Sequence, residues 1–473
     1  MSEPALWLSA AEIAAVTGGR VVRGDASTRF AVFGIDSREI VPGQLFVAIV
    51  GVKHDAHVFA GDAVARGAAG VVVAQGRADL VPTAGEPVVI EVGDTTVALQ
   101  QMGRAMRRRS GARVIAITGS AGKTTTKEAT AALLALRYRT FRNRGNLNNH
   151  IGLPLSLLEL GRGTDVPEMA VLELGMSAPG EIRTLVGLAE PEVRVWTNVA
   201  EAHLAQFPSV DAIADAKAEI LEGADAGSVL VANAADPLVM ARAARFPGRT
   251  LTFAVEAPAD VSARRVETRG IHGMTADVST PAGDVRIETP LIGRGNLANV
   301  LAALTVGIDA EVPLDRMVER IATLSPASHR GEVRRLASGI TIVDDAYNAN
   351  PLAVTRALEA IGAERPEGRR VAVLGEMLEL GEQSGALHER CGRAAAAAGV
   401  ALLVTVGGEP ARAMGAAAAG AGIPSGSVHH AATSEEAGAL VERLVQPGDL
   451  VLVKGSRGIQ LEKVVERLSG GSA

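Results

Sequence analysis

The sequence has little of several features that would define its class at once. Only one of its 473 residues, Cys391, is a cysteine, which excludes an internal disulfide and a zinc site built from cysteines. Aromatic residues make up 3% of the chain and hydrophobic residues 47%, so the cores must be packed from Ala, Val, Leu and Ile in helices and parallel strands. The net charge of -6 provides no basic surface for nucleic acid, and small molecules are the expected partners.

Long apolar runs and a basic leader are also missing. No stretch of about 18 apolar residues runs without charge, and residues 1–15 lack a basic start followed by an apolar segment. These absences predict a protein that does not insert into a membrane and works in the cytoplasm. The length suggests about three domains. We place them at residues 1–108, 109–325 and 326–473.

The most informative stretch is residues 114–126, which read Val-Ile-Ala-Ile-Thr-Gly-Ser-Ala-Gly-Lys-Thr-Thr-Thr. An apolar run, a loop of small residues and a helical pattern predict a strand, a phosphate loop and a helix. Small side chains let backbone N–H groups close around a polyphosphate, Lys123 adds positive charge, and Thr124 has the hydroxyl that reaches Mg²⁺. Ile117 stands where the usual motif has its first glycine, yet a plain glycine turn would have no use for Gly-Lys-Thr. The expected nucleotide-binding residues are Thr118, Gly119, Ser120, Ala121, Gly122, Lys123 and Thr124.

Two later strands are expected to bring polar side chains to the same edge of a parallel sheet. Residues 169–175 predict a buried strand that carries Glu173, and residues 193–199 predict another that His203 follows. In an open parallel sheet, ligands bind beyond the carboxyl ends of the strands. A carboxylate and an imidazole beside the phosphate loop would suit a second Mg²⁺ ion. Taken alone, Glu173 also fits a helix-capping carboxylate, and His203 an ordinary polar histidine.

Other polar groups leave two interpretations open. A cluster in the first region fits either an anion site or a solvated loop face, and it comprises Ser37, Arg38, Lys53, His54 and His57. From its position in a predicted helix, Lys217 fits a surface lysine, and residues 107–109 fit a solvated basic helix end. The third region repeats the strand–helix alternation without a phosphate loop, which predicts a domain that binds a second substrate or closes over the nucleotide.

The sequence resembles the ATP-dependent Mur ligases and the related folylpolyglutamate synthases. The phosphate loop without its first glycine is one point of similarity, and five further motifs follow in the same order. They are residues 145–149, 172–176, 345–351, 374–381 and 453–457. The resemblance implies an α/β fold with three domains: a small α/β N-terminal domain for a UDP-muramoyl-peptide, a central P-loop-type parallel-sheet ATPase domain and a C-terminal Rossmann-like domain.

Within that family, the motifs imply a ligase that joins D-alanyl-D-alanine to UDP-N-acetylmuramoyl-tripeptide through an acyl phosphate, with the enzyme acting as a monomer. Three alternative functions fit the sequence less well. A sister ligase that adds the third residue usually has an Asp-Asn-Pro-Arg element, which is missing here. A folylpolyglutamate synthase lacks the N-terminal domain. A non-catalytic P-loop switch would not need Glu173, His203 and Lys217 together.

The resemblance also implies roles for single residues. Lys123, Glu173, His203 and Lys217 are implied as catalytic, with Thr124 and Glu173 holding magnesium and His203 belonging to a second metal site. Lys217 would be carbamoylated into a carboxylate-like metal ligand. The implied nucleotide contacts beyond the loop are Asn299, Arg330, Asp345, Tyr347 and Asn350. The implied substrate contacts are Ser37, Arg38, Asn146, Asn148 and Asn149. The chain departs from the family pattern at His329, where a glycine usually precedes the arginine.

Overall fold

The structure, a computed structural model, describes residues 6–51 and 54–470. The chain forms two compact units. The first consists of Met1–Ala116, Arg137–Arg194 and Glu222–Ala224, and the second of Ile117–Leu136, Val195–Leu221 and Asp225–Ala473. The domain boundaries expected near residues 108 and 325 stay predictions.

The N-terminal part is a small α/β assembly. Its elements are β1 (Leu8–Ser9), α1 (Ala10–Thr17), β2 (Arg20–Arg23), β3 (Arg29–Phe30), β4 (Phe33–Gly34), β5 (Leu45–Val47), α2 (Ala60–Ala65), β6 (Gly70–Ala74), β7 (Val88–Val92) and α3 (Thr95–Ser110). Five strands form a sheet in the order β2-β7-β6-β5-β4, in which only β2 runs antiparallel. Ser9 caps α1 in a capping box with Glu12.

The middle of the chain contributes a nine-stranded sheet. Its elements are β8 (Arg113–Thr118), α4 (Lys123–Leu134), β9 (Thr140–Arg142), α5 (Gly152–Leu158), β10 (Met169–Glu173), α6 (Glu181–Ala189), β11 (Val193–Trp196), α7 (Val210–Ala218), β12 (Val229–Asn233), α8 (Pro237–Ala243), β13 (Arg249–Val255), β14 (Val261–Thr268), β15 (Met274–Thr280), β16 (Gly283–Thr289), α9 (Arg294–Asp309) and α10 (Leu314–Ile321). The strand order is β16-β15-β14-β13-β12-β11-β8-β10-β9. The region predicted as β-rich decoration is the antiparallel edge β14–β16.

The C-terminal part has a six-stranded sheet. Its elements are β17 (Glu332–Arg335), β18 (Thr341–Asp345), α11 (Pro351–Gly362), β19 (Arg370–Gly375), α12 (Ser384–Ala397), β20 (Leu402–Val406), α13 (Glu409–Gly420), β21 (Val428–Ala431), α14 (Ser434–Leu444), β22 (Leu450–Lys454) and α15 (Glu462–Leu468). The order β17-β18-β22-β19-β20-β21 is parallel except at β17. Cys391 is buried in α12, where burial raises the pKa of its thiol to about 11.

The predicted α/β class with parallel sheets is confirmed. Differences are local: residues 56–59, just ahead of α2, form a 3₁₀ turn, and α3 begins at Thr95, five residues before its predicted start at Gln100. Asp94 explains the second difference, because its side chain accepts hydrogen bonds from the N–H groups of Thr96 and Val97 and so caps the helix. Among the helices of residues 6–51 and 54–470, none combines the length and apolar character that a bilayer-spanning segment needs.

Of the three arginines at the end of α3, Arg107 is buried and structural, so the interpretation as a solvated basic run is wrong for this residue, whereas Arg108 and Arg109 are exposed. Arg107 is 6% exposed and donates to the carbonyls of Ala189 and Glu190 and to the carboxylate of Glu192. Arg108 pairs with the Glu190 carboxylate, and the pKa of that carboxyl is lowered to about 2 by this hydrogen bond above all. The C-terminal end of α3 therefore holds the turn between α6 and β11 in place.

Replacing Arg107 tests this fastening. Arg107→Met keeps most of the apolar stem but leaves two carbonyls without their donor, and we expect a loss of about 2 kcal/mol in stability. The measurement is the midpoint of the first thermal transition. The control is Arg162→Met, because Arg162 is 54% exposed and meets Glu159 only at 3.7 Å. Equal midpoints for the two variants would contradict a structural role for Arg107.

Candidate active site

The phosphate loop joins β8 to α4, as predicted, and two of its glycines are required by space. Gly122 forms the N-cap of α4 with φ +85°, and a Cβ there would lie 2.2 Å from Asn299 Oδ1. Gly119 has φ +152°, and a Cβ there would lie 1.9 Å from Thr197 Oγ1. Any other residue at either position would displace a neighbouring polar side chain.

The loop is held by Thr197 and Asn198, which directly follow β11. The sequence analysis did not identify these two residues. Asn198 accepts from the Ala121 N–H and donates to the Ala121 carbonyl, both over 2.9 Å. Its own carbonyl accepts from the Ser120 N–H over 3.0 Å, and Thr197 Oγ1 donates to the Ala121 carbonyl. Two of the N–H groups expected to face phosphate are therefore bound to Asn198. The sequence feature that could have indicated this role is the Thr-Asn pair directly after a buried apolar strand.

Lys123 and Thr124 begin α4. Lys123 Nζ donates to the Gly119 carbonyl over 2.7 Å, so the side chain folds back along the loop. Thr124 is buried in the first turn of the helix. The start of a helix carries a partial positive charge, and together with Lys123 it favours an anionic group at this end of α4.

Glu173, in the first unit, is 3% exposed at the end of β10. Asn148 donates to Glu173 Oε1 over 2.8 Å, and Asn143 accepts from the Glu173 N–H over 3.0 Å. Asn149 accepts from the N–H groups of Ile151 and Gly152 at the start of α5, while Asn146 is exposed. Asn148 thus orients the carboxylate and Asn149 binds the N–H groups at the start of α5, and their expected contact with substrate stays a prediction.

Lys217 and His203, in the second unit, have unusual surroundings. Lys217 is 1% exposed, so its interpretation as a surface lysine is wrong. Burial, followed by the nearby charge of Lys123, holds the pKa of Lys217 well below its usual value. Burial also lowers the pKa of His203, although the Glu379 carboxylate opposes this.

The residues expected around the nucleotide base and ribose interact with one another. The Arg330 guanidinium lies 4.1 Å from the centre of the Tyr347 ring, and Lys454, which the sequence did not single out for this purpose, pairs with Asp345 at 2.6 Å. Asn350 caps α11 and donates to the Ser120 carbonyl over 3.2 Å. The structure thus connects Asn350 directly to the phosphate loop.

His329, the departure from the family pattern, has a physical explanation. Its φ is +58°, a conformation that glycine adopts freely. Its Nδ1 lies 2.8 Å from Asp344 Oδ2, and Asp344 is fully buried and also pairs with Arg334. Tyr347 donates its N–H to the His329 carbonyl over 3.2 Å. The hydrogen bond with Asp344 compensates for the backbone cost of a side chain at this position, and Arg330 follows in the same turn.

The N-terminal cluster separates into different roles. His57 is buried, its Nδ1 lies 2.5 Å from Asp55, and its Nε2 accepts from the Ala74 N–H, so neither ring nitrogen is available for an anion. Ser37 and Arg38 lie on a 3₁₀ turn, where Arg38 is exposed and paired with Asp36. Their expected contact with a nucleotide sugar stays a prediction. His54 is exposed, and Lys53 lies outside the described residues.

Comparisons with known proteins place these features in one family. Residues 117–307 match the family model of the Mur ligase middle domain, and residues 329–457 match that of the Mur ligase, glutamate ligase domain. The UDP-N-acetylmuramoyl-tripeptide--D-alanyl-D-alanine ligase of Escherichia coli (strain K12) is 37% identical over 92% of each chain.

Two solved structures are similar over nearly the whole chain. MurF from Acinetobacter baumannii is 29% identical with a TM-score of 0.87, covering 99% of this chain and 100% of that one. The MurF ligase from Thermotoga maritima in complex with ADP is 29% identical with a TM-score of 0.80, covering 93% and 97%.

The space at Gly122 yields a prediction. In Gly122→Ala the new methyl must push Asn299 away from the start of α4, and we expect nucleotide affinity, measured by titration calorimetry, to fall at least about tenfold, or 1.4 kcal/mol. Gly180→Ala is a matched control, because Gly180 is also a helix N-cap with φ +86° but has nothing within 4 Å of its added methyl. If both variants lose affinity equally, backbone strain and not the contact with Asn299 is responsible.

Proposed function

Since the chain belongs to the Mur ligase family, we propose that it uses ATP to join D-alanyl-D-alanine to the terminal carboxylate of UDP-N-acetylmuramoyl-tripeptide, a step in making peptidoglycan precursors. The observation that carries this proposal is similarity along nearly the full length to ligases of that name. The five-stranded N-terminal sheet also argues against a folylpolyglutamate synthase.

The chemistry explains why ATP is needed. A carboxylate does not acylate an amine in water, so its oxygen first attacks the γ-phosphorus of ATP, and ADP leaves. The amine of D-alanyl-D-alanine then attacks the carbonyl carbon of the acyl phosphate. The tetrahedral intermediate loses phosphate and a proton, which leaves the amide. The electrostatic difficulty is to bring two anions together, and preorganised positive charge overcomes it.

Lys123 and the first turn of α4 supply that charge from the protein. We assign Lys123 to the β- and γ-phosphates, which would replace the Gly119 carbonyl as the acceptor for its Nζ. Gly119 and Gly122 have no side chain, so at these two positions the phosphates can approach the loop backbone. Asn299, Arg330, Asp345, Tyr347 and Asn350 remain our proposed contacts to the rest of the nucleotide.

The residues of the site fit magnesium ions, of which we propose two. Among the described residues, no group of three or more His, Cys, Asp or Glu side chains is placed to hold a metal ion. We assign the Thr124 hydroxyl and the Glu173 carboxylate as magnesium ligands, and His203 and carbamoylated Lys217 as ligands of the second ion, with phosphate oxygens and water as the remaining ligands. When bound, Mg²⁺ neutralises phosphate charge and orients the transferred group.

We propose that Lys217 is carbamoylated, because its amine is buried and burial lowers its pKa, which favours the neutral, nucleophilic form that takes up CO2. Intact-mass spectrometry in bicarbonate buffer is expected to show the gain of one CO2, which is lost in Lys217→Met. Bicarbonate-dependent activity should disappear in the same variant. An unmodified wild-type protein together with full activity of Lys217→Met would refute the assignment.

Phosphate release measured across a panel of UDP-muramoyl-peptides and amines tests the function. We expect turnover only with ATP, a UDP-muramoyl-tripeptide and D-alanyl-D-alanine together. In Lys123→Ala release should fall to background, whereas Lys463→Ala, which removes an exposed lysine paired with Glu435, should match the wild type. Preference for a UDP-muramoyl-dipeptide with a single amino acid would instead support the sister ligase that adds the third residue.

We also propose that the enzyme acts as a monomer in the cytoplasm, where ATP and UDP-linked precursors are available. Light scattering at micromolar concentration measures the first property, and fractionation of cells measures the second. The identity of the third residue of the tripeptide is an outcome of the same substrate panel.

A further inference from the structure

The loop that carries His203 is contacted by a loop from the C-terminal sheet. We call residues 376–383, which follow β19, the Glu379 loop. His203 Nδ1 lies 2.5 Å from Glu379 Oε2, and the Ala205 N–H donates to the Glu379 carbonyl over 2.9 Å. Beside them, Arg390 of α12 pairs with Glu201 at 2.9 Å. Two polar contacts thus join the loop of His203 to the Glu379 loop, and a third joins it to α12.

The backbone at this contact is unusual on both sides. His203 has φ +60° and Glu379 has φ +64°, a conformation that non-glycine residues adopt rarely. Gly381 lets the two backbones meet, because a Cβ there would lie 3.2 Å from Ala205 Cα. Two facing side chains held in a costly backbone conformation indicate that their positions matter for function.

The Glu379 loop is itself held firmly. The Met377 N–H donates to Nε2 of the buried His388 over 2.8 Å, and the Leu378 N–H donates to Ser456 Oγ over 2.9 Å. The Ser456 N–H in turn donates to the Glu376 carbonyl over 3.2 Å. The carboxylate of Glu379 therefore occupies a defined place relative to β19 and β22.

A carboxylate can only accept, so this contact places the imidazole proton on Nδ1 and leaves the lone pair of His203 on Nε2. No hydrogen bond to Nε2 is formed within the described residues, and the ring lies near enough to Lys217 and Lys123 for their charges to act on it. We propose that Glu379 is a positioning residue, which keeps the Nε2 lone pair of His203 available to a cation bound at the phosphates. The C-terminal part would thereby complete the site that the middle part begins.

This proposal rests on the proposed function, and substitutions at Glu379 test it. In Glu379→Ala we expect kcat to fall by about 10- to 100-fold, as for other residues that orient a ligand, while the KM for ATP stays within about threefold. Glu379→Gln keeps an oxygen acceptor and should recover much of the loss. Glu382→Ala is the control, because Glu382 is exposed on the same loop, and it should match the wild type.

The second readout is ¹⁵N NMR of histidine-labelled protein, with the His203 resonance identified by its loss in His203→Gln. We expect the Nδ1–H tautomer in the wild type and in Glu379→Gln, and a mixture in Glu379→Ala. Wild-type kcat in Glu379→Ala, or a mixture of the two tautomers in the wild type, would overturn the proposal.

If the wild type is inactive across the substrate panel, the proposed function fails, while the tautomer of His203 still decides the role of Glu379. If Glu379→Ala does not fold, Glu379→Asp, whose shorter carboxylate cannot reach Nδ1 in the same way, takes its place in both measurements.

Discussion

The hydrogen bonds between Asn198 and the phosphate loop are the constraint on which the site depends. These bonds hold Ser120 and Ala121 close to the end of β11. The loop backbone then lies so near Thr197 and Asn299 that only glycine fits at positions 119 and 122. The loop shape is therefore set by a neighbouring strand as well as by its own residues. The Ser120 carbonyl is then presented to Asn350, which connects the loop to the start of α11.

The sequence predicted most of the fold, since its strands are apolar runs bounded by glycine and polar residues. The apolar runs at residues 370–375, 401–406 and 450–454 predict strands; β19 and β22 have these bounds, and β20 begins one residue later. The phosphate loop was found for the same reason, because its function needs a local pattern of small residues before a lysine. A site can be predicted from the sequence when the residues that form it are neighbours along the chain.

The rest of the site depends on residues distant in sequence. Glu379 meets His203 across 176 positions, and no periodicity predicts that pairing. The residue pattern also did not predict the burial of Lys217, because one lysine in a short helix does not show which face of the helix is buried. Only the family resemblance indicated a functional role for this lysine. The same limit explains Arg107, whose partners lie more than 80 positions away. His329 shows a further case, in which a departure from a motif became understandable once its φ was known.

The buried position of Cys391 has a practical consequence. Because this single thiol is enclosed in α12 and ionises only near pH 11, maleimide reagents at neutral pH have no native target in the folded chain. A cysteine introduced at any exposed position would be the sole site of labelling without removal of the native one. Pairs of dyes could then follow movements of chosen segments in an otherwise unaltered enzyme.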